Sequence, residues 1–330
     1  MKKFINRVED VLSESLRGFA AAHARIVTLN TDPVFVRRAD APVKGKVALI
    51  SGGGSGHEPL HAGFVGRGML AAACPGQVFT APTPDQMLAA AAAVDGGTGV
   101  LFIVKNYSGD IMNFEMAAEM FSGSHATVVT NDDVAVENST YSTGRRGVAG
   151  TLVVEKIVGA AAETGADLET CRALGERVNR ATASMGVALT SGTVPAVGRP
   201  TFAIGETEME MGVGIHGEPG RRRVPLAAAD AIAHEMVGAI LAELRPARGT
   251  PALLFVNGFG ATPLMELYLL YDAASRALAD SGVVVARSLV GNYVTSLDMA
   301  GASITLTLLD DEIISLWDAP VDTAALRWGC

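Results

Sequence analysis

The stretch Val47-Ala-Leu-Ile-Ser-Gly-Gly-Gly-Ser-Gly-His57-Glu-Pro59 joins a short apolar run to a turn that is rich in glycine. The apolar residues 47–50 predict a buried strand, and the turn is expected to lead into a helix. Glycines at such a place let the backbone approach a ligand closely, with N–H groups facing its oxygen atoms. We therefore interpret the turn as a cradle for a small, oxygen-rich ligand.

The cradle ends in His57 rather than in a lysine followed by serine or threonine. A nucleotide P-loop needs that lysine to reach the phosphates, so the turn is not expected to hold ATP. His61 follows His57 at a spacing that can bind zinc within a helix. Pro59 places the two histidines at a turn instead, and we predict no metal site.

Two further apolar runs, residues 100–104 and 126–130, are each followed by a polar segment. Strands that alternate with helices predict an α/β fold with mostly parallel sheets covered by helices. Residues 304–309 and 313–316 are expected to form a terminal pair of strands that return to the core. Because ligands bind outside the carboxyl ends of parallel strands, the three polar segments are expected to converge.

The composition is that of a large globular protein, with 49% of the 330 residues hydrophobic and 18% charged. It suits one large α/β unit or two closely joined lobes. We place the N-terminal lobe, with the glycine cradle, at residues 1–185 and the C-terminal lobe at residues 186–330. A net charge of −9 disfavours nucleic acid as a partner, because phosphates bind to basic surfaces.

The cysteines and the N-terminal sequence indicate a cytoplasmic protein. Cys74, Cys171 and Cys330 match no metal motif and suggest no disulfide framework, as expected in a reducing compartment. The first residues lack the apolar core of a signal peptide. Since no apolar run approaches the ~20 residues that span a membrane, no membrane association is expected.

Two of the six histidines lie among glycines at the ends of apolar strands, His57 in the cradle and His216 in Gly-Ile-His-Gly-Glu-Pro-Gly. A neutral imidazole can act as a base, an acid or a nucleophile near neutral pH. Either histidine alone could instead cap a helix or bind the backbone. The matched settings favour a functional role for both.

Asp110 closes the segment Lys105-Asn-Tyr-Ser-Gly-Asp110 after the second strand. It could cap the following helix, or it could act as a general base on a hydroxyl group. Lys105 could be a surface cation or could orient a polar ligand. The basic runs at residues 145–146 and 221–223 are typical of solvated faces, although the second could dock an acidic partner.

Seven segments together resemble the K subunit of dihydroxyacetone kinases, and they occur in order along the whole chain. They are residues 51–59, 105–110, 143–150, 211–220, 257–264, 295–301 and 316–320. The resemblance implies two α/β lobes and a homodimer. It also implies that the chain binds dihydroxyacetone.

In that family a histidine in the Gly-Ile-His-Gly-Glu-Pro motif adds to the ketone carbon, which puts a covalent hemiaminal on His216. Such a bond selects the ketone over glycerol, which has no carbonyl group. By resemblance Asp110 takes the proton from the attacking hydroxyl, and His57 acts nearby as an acid or a base. The implied substrate-binding residues are Gly54, Ser55, Gly56, His57, Lys105, Asp110 and His216.

The resemblance implies that this chain itself binds no cofactor. ADP or ATP with Mg²⁺ is expected on a separate nucleotide-binding L subunit, because the chain ends soon after Pro320 without room for that domain. A phosphotransferase-system subunit could supply the phosphoryl group. Two alternatives stay open: a kinase subunit for another short ketose such as erythrulose, and a non-catalytic dihydroxyacetone sensor or coactivator.

Overall fold

The computed structural model describes residues 2–136, 141–218 and 220–330. Its first half contains β1 (Val27–Thr31), β2 (Val34–Arg38), β3 (Ala48–Ser55), β4 (Gly66–Arg67), β5 (Ala72–Val78), β6 (Val100–Lys105) and β7 (His125–Thr130). Six of these form a sheet in the order β1-β2-β5-β3-β6-β7. Strands β5, β3, β6 and β7 pair in parallel, as the sequence predicted, and β1 and β2 add an antiparallel edge.

Helices cover both faces of this sheet. They are α1 (Val11–Ala22), α2 (Pro84–Val94), α3 (Ser108–Met120), α4 (Gly150–Glu163) and α5 (Leu168–Arg180). Side chains on β6 alternate between the faces: Phe102 packs in a cluster with residues of α2 and α3, whereas Ile103 packs in a cluster with residues of α4 and α5. Successive side chains of a strand point to opposite faces, so an entirely apolar strand requires cover on both sides.

A second six-stranded sheet has the order β10-β9-β8-β13-β11-β12. Its strands are β8 (Thr182–Ala188), β9 (Glu208–Met211), β10 (Arg222–Pro225), β11 (Pro251–Gly258), β12 (Val284–Gly291) and β13 (Gly301–Leu308). Helices α6 (Ala229–Leu244) and α7 (Leu264–Asp280) pack on one face. Helix α4 contacts strands of both sheets, and it is buried from Gly150 to Ala162.

The structure confirms the α/β class but changes two details. In the second sheet the pairings among the described strands are antiparallel except for β11 with β12. Residues 313–316, predicted as a strand, lie in the helix α8 (Asp311–Asp318). The Asp310 side chain caps this helix by accepting from the Ile313 N–H, and Ile313 and Trp317 are buried at helical spacing.

The end of the chain returns to its beginning through a third, small sheet. Strand β14 (Val321–Thr323) pairs with β4 and with β15 (Arg327–Trp328). The lobe boundary predicted after residue 185 falls within β8 and stays a prediction. Among the described residues no helix is both long enough and apolar enough to cross a membrane.

Candidate active site

A cavity of about 920 Å³ lies where the polar segments of both sheets meet. Gly54 at the end of β3, Asp110 at the start of α3 and His216 all line it. Ser55, Gly56, His57 and Lys105 are buried beside these residues, with His57 against His216 and Lys105 near Asp110. The structure therefore brings the predicted site residues from three separate segments together, as the strand-end argument expected.

The glycine cradle forms differently from the prediction. No helix follows it directly; the chain turns and enters a short 3₁₀ helix at Ala62–Phe64. A side chain at Gly54 would place its Cβ 2.6 Å from the Thr80 backbone nitrogen, so only glycine fits there. The Ser55 hydroxyl donates to the Gly76 carbonyl at 2.7 Å and fixes the end of the strand.

His57 is buried and held in one tautomer. Its Nδ1 donates to the Thr295 carbonyl at 2.7 Å, which leaves Nε2 with a lone pair. Its ring stacks on Phe79 and meets the His216 ring edge-on, with centroids 4.7 Å apart. Burial and the nearby His216 and Lys105 hold the pKa of His57 well below its usual value. A neutral imidazole of this kind accepts a proton or a hydrogen bond.

His216 lines the cavity between the rings of Phe79 and Tyr107, whose centroids lie 5.3 Å and 4.6 Å away. Its backbone N–H donates to Glu218 Oε2 at 2.8 Å, and its Nδ1 lies 3.5 Å from Glu218 Oε1. A carboxylate on the Nδ1 side favours the tautomer in which Nε2 keeps its lone pair. His216 therefore has the arrangement of a nucleophile with an orienting group.

The Glu218 carboxylate is itself held by a buried ion pair. Burial opposes its charge, but His216 and Arg146 lower the pKa of Glu218 to about 2. Arg146 Nη1 lies 3.9 Å from Glu218 Oε1, and Arg146 also donates to Asp133 at 2.7–2.8 Å. The sequence had suggested a solvated face for Arg146. That prediction was wrong, because this side chain is fully buried.

Asp110 does not cap a helix, since Tyr107 occupies the N-cap position of α3 and no side-chain cap bond is present there. Its carboxylate is buried at the cavity wall, 3.6 Å from Lys105 Nζ. Burial raises the pKa of Asp110 against the opposing effect of Lys105 and His216. A carboxylate so placed is suited to take a proton from a bound hydroxyl.

Lys105 is 1% exposed, so it is not a surface cation. Its ammonium group donates to the Gly52 carbonyl at 3.1 Å and to His61 Nε2 at 2.9 Å. His61 Nδ1 bonds in turn to Glu155 Oε1 at 2.6 Å. The sequence pattern presents His61 only as a possible metal ligand, and no local signal points to Glu155.

The arginines of residues 221–223 divide between two roles. Arg221 is exposed, and its guanidinium group donates to the carbonyls of Val134 and Ala135. Arg222 is exposed and pairs with Glu235, while Arg223 lines the cavity. All three arginines are exposed, so the expectation of a solvated face is confirmed for this run. Pro219, in the predicted motif around His216, lies outside the described residues.

Comparisons with known proteins show the family of the chain. The Dak1 domain matches residues 17–325. The chain is 51% identical to "PEP-dependent dihydroxyacetone kinase, dihydroxyacetone-binding subunit DhaK" of Escherichia coli, over the whole of both chains. The chain belongs to the Dak1 domain family.

Two solved structures are also similar to the chain. A dihydroxyacetone kinase operon co-activator, Dha-DhaQ, has a TM-score of 0.89 and 34% identity, covering 94% of this chain and 97% of its own. The dihydroxyacetone kinase of C. freundii has a TM-score of 0.87 and 34% identity, covering 99% of this chain and 60% of its own. These likenesses extend over both large sheets.

Proposed function

We propose that this chain is the dihydroxyacetone-binding subunit of a dihydroxyacetone kinase, and that the kinase yields dihydroxyacetone phosphate. The observation that carries the proposal is the placement of His216, with Glu218 beside Nδ1, in the same cavity as Asp110. One group suits attack on a ketone and the other suits activation of a hydroxyl. The printed name of the Escherichia coli relative supports the same activity.

The first step forms a covalent bond between His216 and the substrate. Nε2 donates its lone pair to the ketone carbon, and the π electrons of the carbonyl move to its oxygen. The oxygen gains a proton and Nδ1 loses one, so that a neutral hemiaminal results. Glu218 stabilises the imidazolium that exists between these proton transfers. Glycerol cannot form this bond because it has no carbonyl group.

The second step transfers a phosphoryl group to a free hydroxyl of the bound substrate. Asp110 takes the hydroxyl proton as the oxygen attacks phosphorus, and the bond from phosphorus to the leaving nucleotide oxygen breaks. Lys105 stabilises the charge on Asp110, and His57 Nε2 accepts a hydrogen bond from the substrate. The covalent link holds the hydroxyl in place, which lowers the entropic cost of the transfer.

The nucleotide in this proposal is ADP or ATP with Mg²⁺ on a separate L subunit, and this chain binds no nucleotide. ATP gives up its terminal phosphoryl group and becomes ADP. A phosphotransferase-system subunit then phosphorylates the bound ADP back to ATP, as the PEP-dependent name of the relative suggests. We further propose a cytoplasmic homodimer. The cavity of about 920 Å³ is far larger than a three-carbon ketone and leaves room for the donor group.

A second candidate is a co-activator that binds the ketone without turning it over, because one similar structure has that description. A sensor needs His216 and its partners but has no use for a buried base. Asp110 with Lys105 at 3.6 Å therefore favours the kinase. The cavity could also accept a four-carbon ketose, and turnover on dihydroxyacetone and erythrulose with the L subunit would compare the two.

The test is intact-protein mass spectrometry after incubation with dihydroxyacetone, together with turnover in the presence of an L subunit. We expect a mass gain of one substrate, absent in His216→Ala, and phosphorylation that needs both subunits. If the adduct is too labile to survive ionisation, calorimetric titration of both proteins measures substrate binding instead. Equal binding by the native chain and His216→Ala would refute the covalent mechanism. Adduct without turnover would favour the co-activator.

A further inference from the structure

Two buried residues outside the predicted site connect to Asp110 through Lys105. We propose that His61 and Glu155 are positioning residues that hold the Lys105 ammonium group against Asp110 during phosphoryl transfer. The inference rests on the proposed kinase function. It adds two residues that hold Lys105 from the side opposite Asp110. His61 lies on the turn after β3 and Glu155 on α4, so two elements enclose the lysine.

The four side chains form one continuous chain of polar contacts. Asp110 Oδ2 lies 3.6 Å from Lys105 Nζ, and Nζ lies 2.9 Å from His61 Nε2. His61 Nδ1 lies 2.6 Å from Glu155 Oε1. Lys105 also donates a hydrogen bond to the Gly52 carbonyl at 3.1 Å. The ammonium group therefore has two hydrogen bonds and one ion pair, and together they fix its position.

The directions of these bonds determine where the protons are. An ammonium group has only donors, so His61 Nε2 must accept, and Nδ1 must carry the hydrogen. That N–H then donates to Glu155 Oε1. Burial and the charge of Lys105 hold the pKa of His61 well below its usual value, consistent with a neutral bridging ring. The imidazole thus connects the Glu155 carboxyl group at one end to a cation at the other.

Stability alone does not account for this arrangement. Glu155 is fully buried in α4, the helix that lies between the two large sheets, and burial raises its pKa against the effect of Lys105. Apolar side chains would fill such a position at lower cost. The backbone also makes room for the cation, since a Cβ on Gly53 would lie 2.2 Å from Lys105 Nζ. A role in holding Lys105 explains both features.

The reaction explains why one partner is insufficient. When Asp110 takes the hydroxyl proton, its charge is lost and Lys105 keeps no carboxylate on the cavity side. Glu155 holds His61 in the tautomer that accepts from Lys105, so the ammonium group keeps a partner and stays in place. Deleting the support should slow transfer without preventing the ketone from binding to His216, which is held by other groups.

The experiment measures turnover with an L subunit, adduct yield by mass spectrometry and melting temperature for four variants. His61→Leu should lower kcat by about 10- to 100-fold, with KM and adduct yield near those of the native chain. His61→Gln, which keeps a donor and an acceptor, should recover most of the loss. Glu155→Gln should lower kcat about 10-fold without lowering the melting temperature. His234→Leu, at an exposed histidine on α6, is the control and should change none of these.

The proposal is overturned if folded Glu155→Gln and His61→Gln both keep native kcat. It is also overturned if His61→Leu loses adduct and melting temperature in proportion to kcat and the glutamine variant restores nothing. Should His61→Leu fail to fold, the two glutamine variants decide, because they keep volume and hydrogen bonding. A native chain with neither adduct nor turnover would instead refute the proposed function.

Discussion

Replacing Glu218 by glutamine should slow hemiaminal formation. The pKa of Glu218 lies at about 2, against 4.5 for an ordinary glutamate, which corresponds to roughly 3 kcal/mol in favour of its charged form. Burial opposes that charge, and His216 and Arg146 together supply the attraction. If half of this roughly 3 kcal/mol acts between Glu218 and the His216 imidazolium, the variant loses about 1.5 kcal/mol of stabilisation of the charged intermediate. The expected effect is a roughly 10-fold slower reaction.

The assay follows adduct mass against time after rapid mixing with dihydroxyacetone. Glu218→Gln preserves an acceptor for the His216 backbone N–H, and Arg146 keeps its pairing with Asp133, so the variant should fold. Glu206→Gln is the matched control, because Glu206 is exposed in the same lobe. A native rate of adduct formation in folded Glu218→Gln would refute the reasoning.

The same ion pair makes stability depend on pH in a defined direction. A folded-state pKa below the ordinary value stabilises the folded protein above about pH 4.5, and that contribution is lost as the pH falls toward 2. Denaturant titrations should therefore show a smaller loss of stability over this range for Glu218→Gln than for the native chain. Identical pH dependence of the two proteins would contradict the low pKa.

Three other predictions concern Asp110 and the glycine cradle. Asp110→Asn should lower turnover with an L subunit by about 10²–10⁴-fold, while the adduct on His216 still forms. Mass spectrometry measures the adduct and a product assay measures turnover. Unchanged turnover would exclude Asp110 as the base. Because burial raises the pKa of Asp110, kcat/KM should fall as the pH drops through a value above that of an ordinary aspartate, and a profile flat down to pH 4 would contradict this. Gly54→Ala should destabilise the protein by about 1–3 kcal/mol, since its Cβ would meet the Thr80 backbone at 2.6 Å; an unchanged melting temperature would show that the loop can move.

The sequence was sufficient to select the residues at the strand ends. His57, Lys105 and Asp110 each follow an apolar strand, and parallel strands place their carboxyl ends at one edge. Glycine neighbours singled out His216 in the same way. Because these patterns are local in the sequence, the residues can be selected without knowledge of the tertiary fold.

The supporting residues could not be found by this route. His61 and Glu155 are 94 residues apart, and only packing of α4 against the cradle joins them. Arg146 had the local appearance of a solvated basic run, yet the fold encloses it with Asp133 and Glu218. Buried charge depends on distant partners, which spacing along the chain does not reveal.

Two of the errors in the fold, at residues 313–316 and in the second sheet, have a similar origin. Residues 313–316 are a short apolar run, and such runs are compatible with either a strand or a buried helix turn. The cap at Asp310 and the spacing of Ile313 and Trp317 decide for the helix. Strand direction in the second sheet depends on how the connections cross, so the alternation of strands and helices did not fix it.

The return of β14 to β4 affects how the protein can be made. Asp322 pairs with Arg67, and Val321 and Leu326 lie in the same apolar cluster as Phe64 and Leu70. The ribosome synthesises Phe64 and Leu70 long before Val321 and Leu326. The first half therefore emerges with part of its apolar surface still exposed. Contacts of such long sequence separation form late, which makes the nascent N-terminal half a candidate for chaperone protection until the last strands arrive.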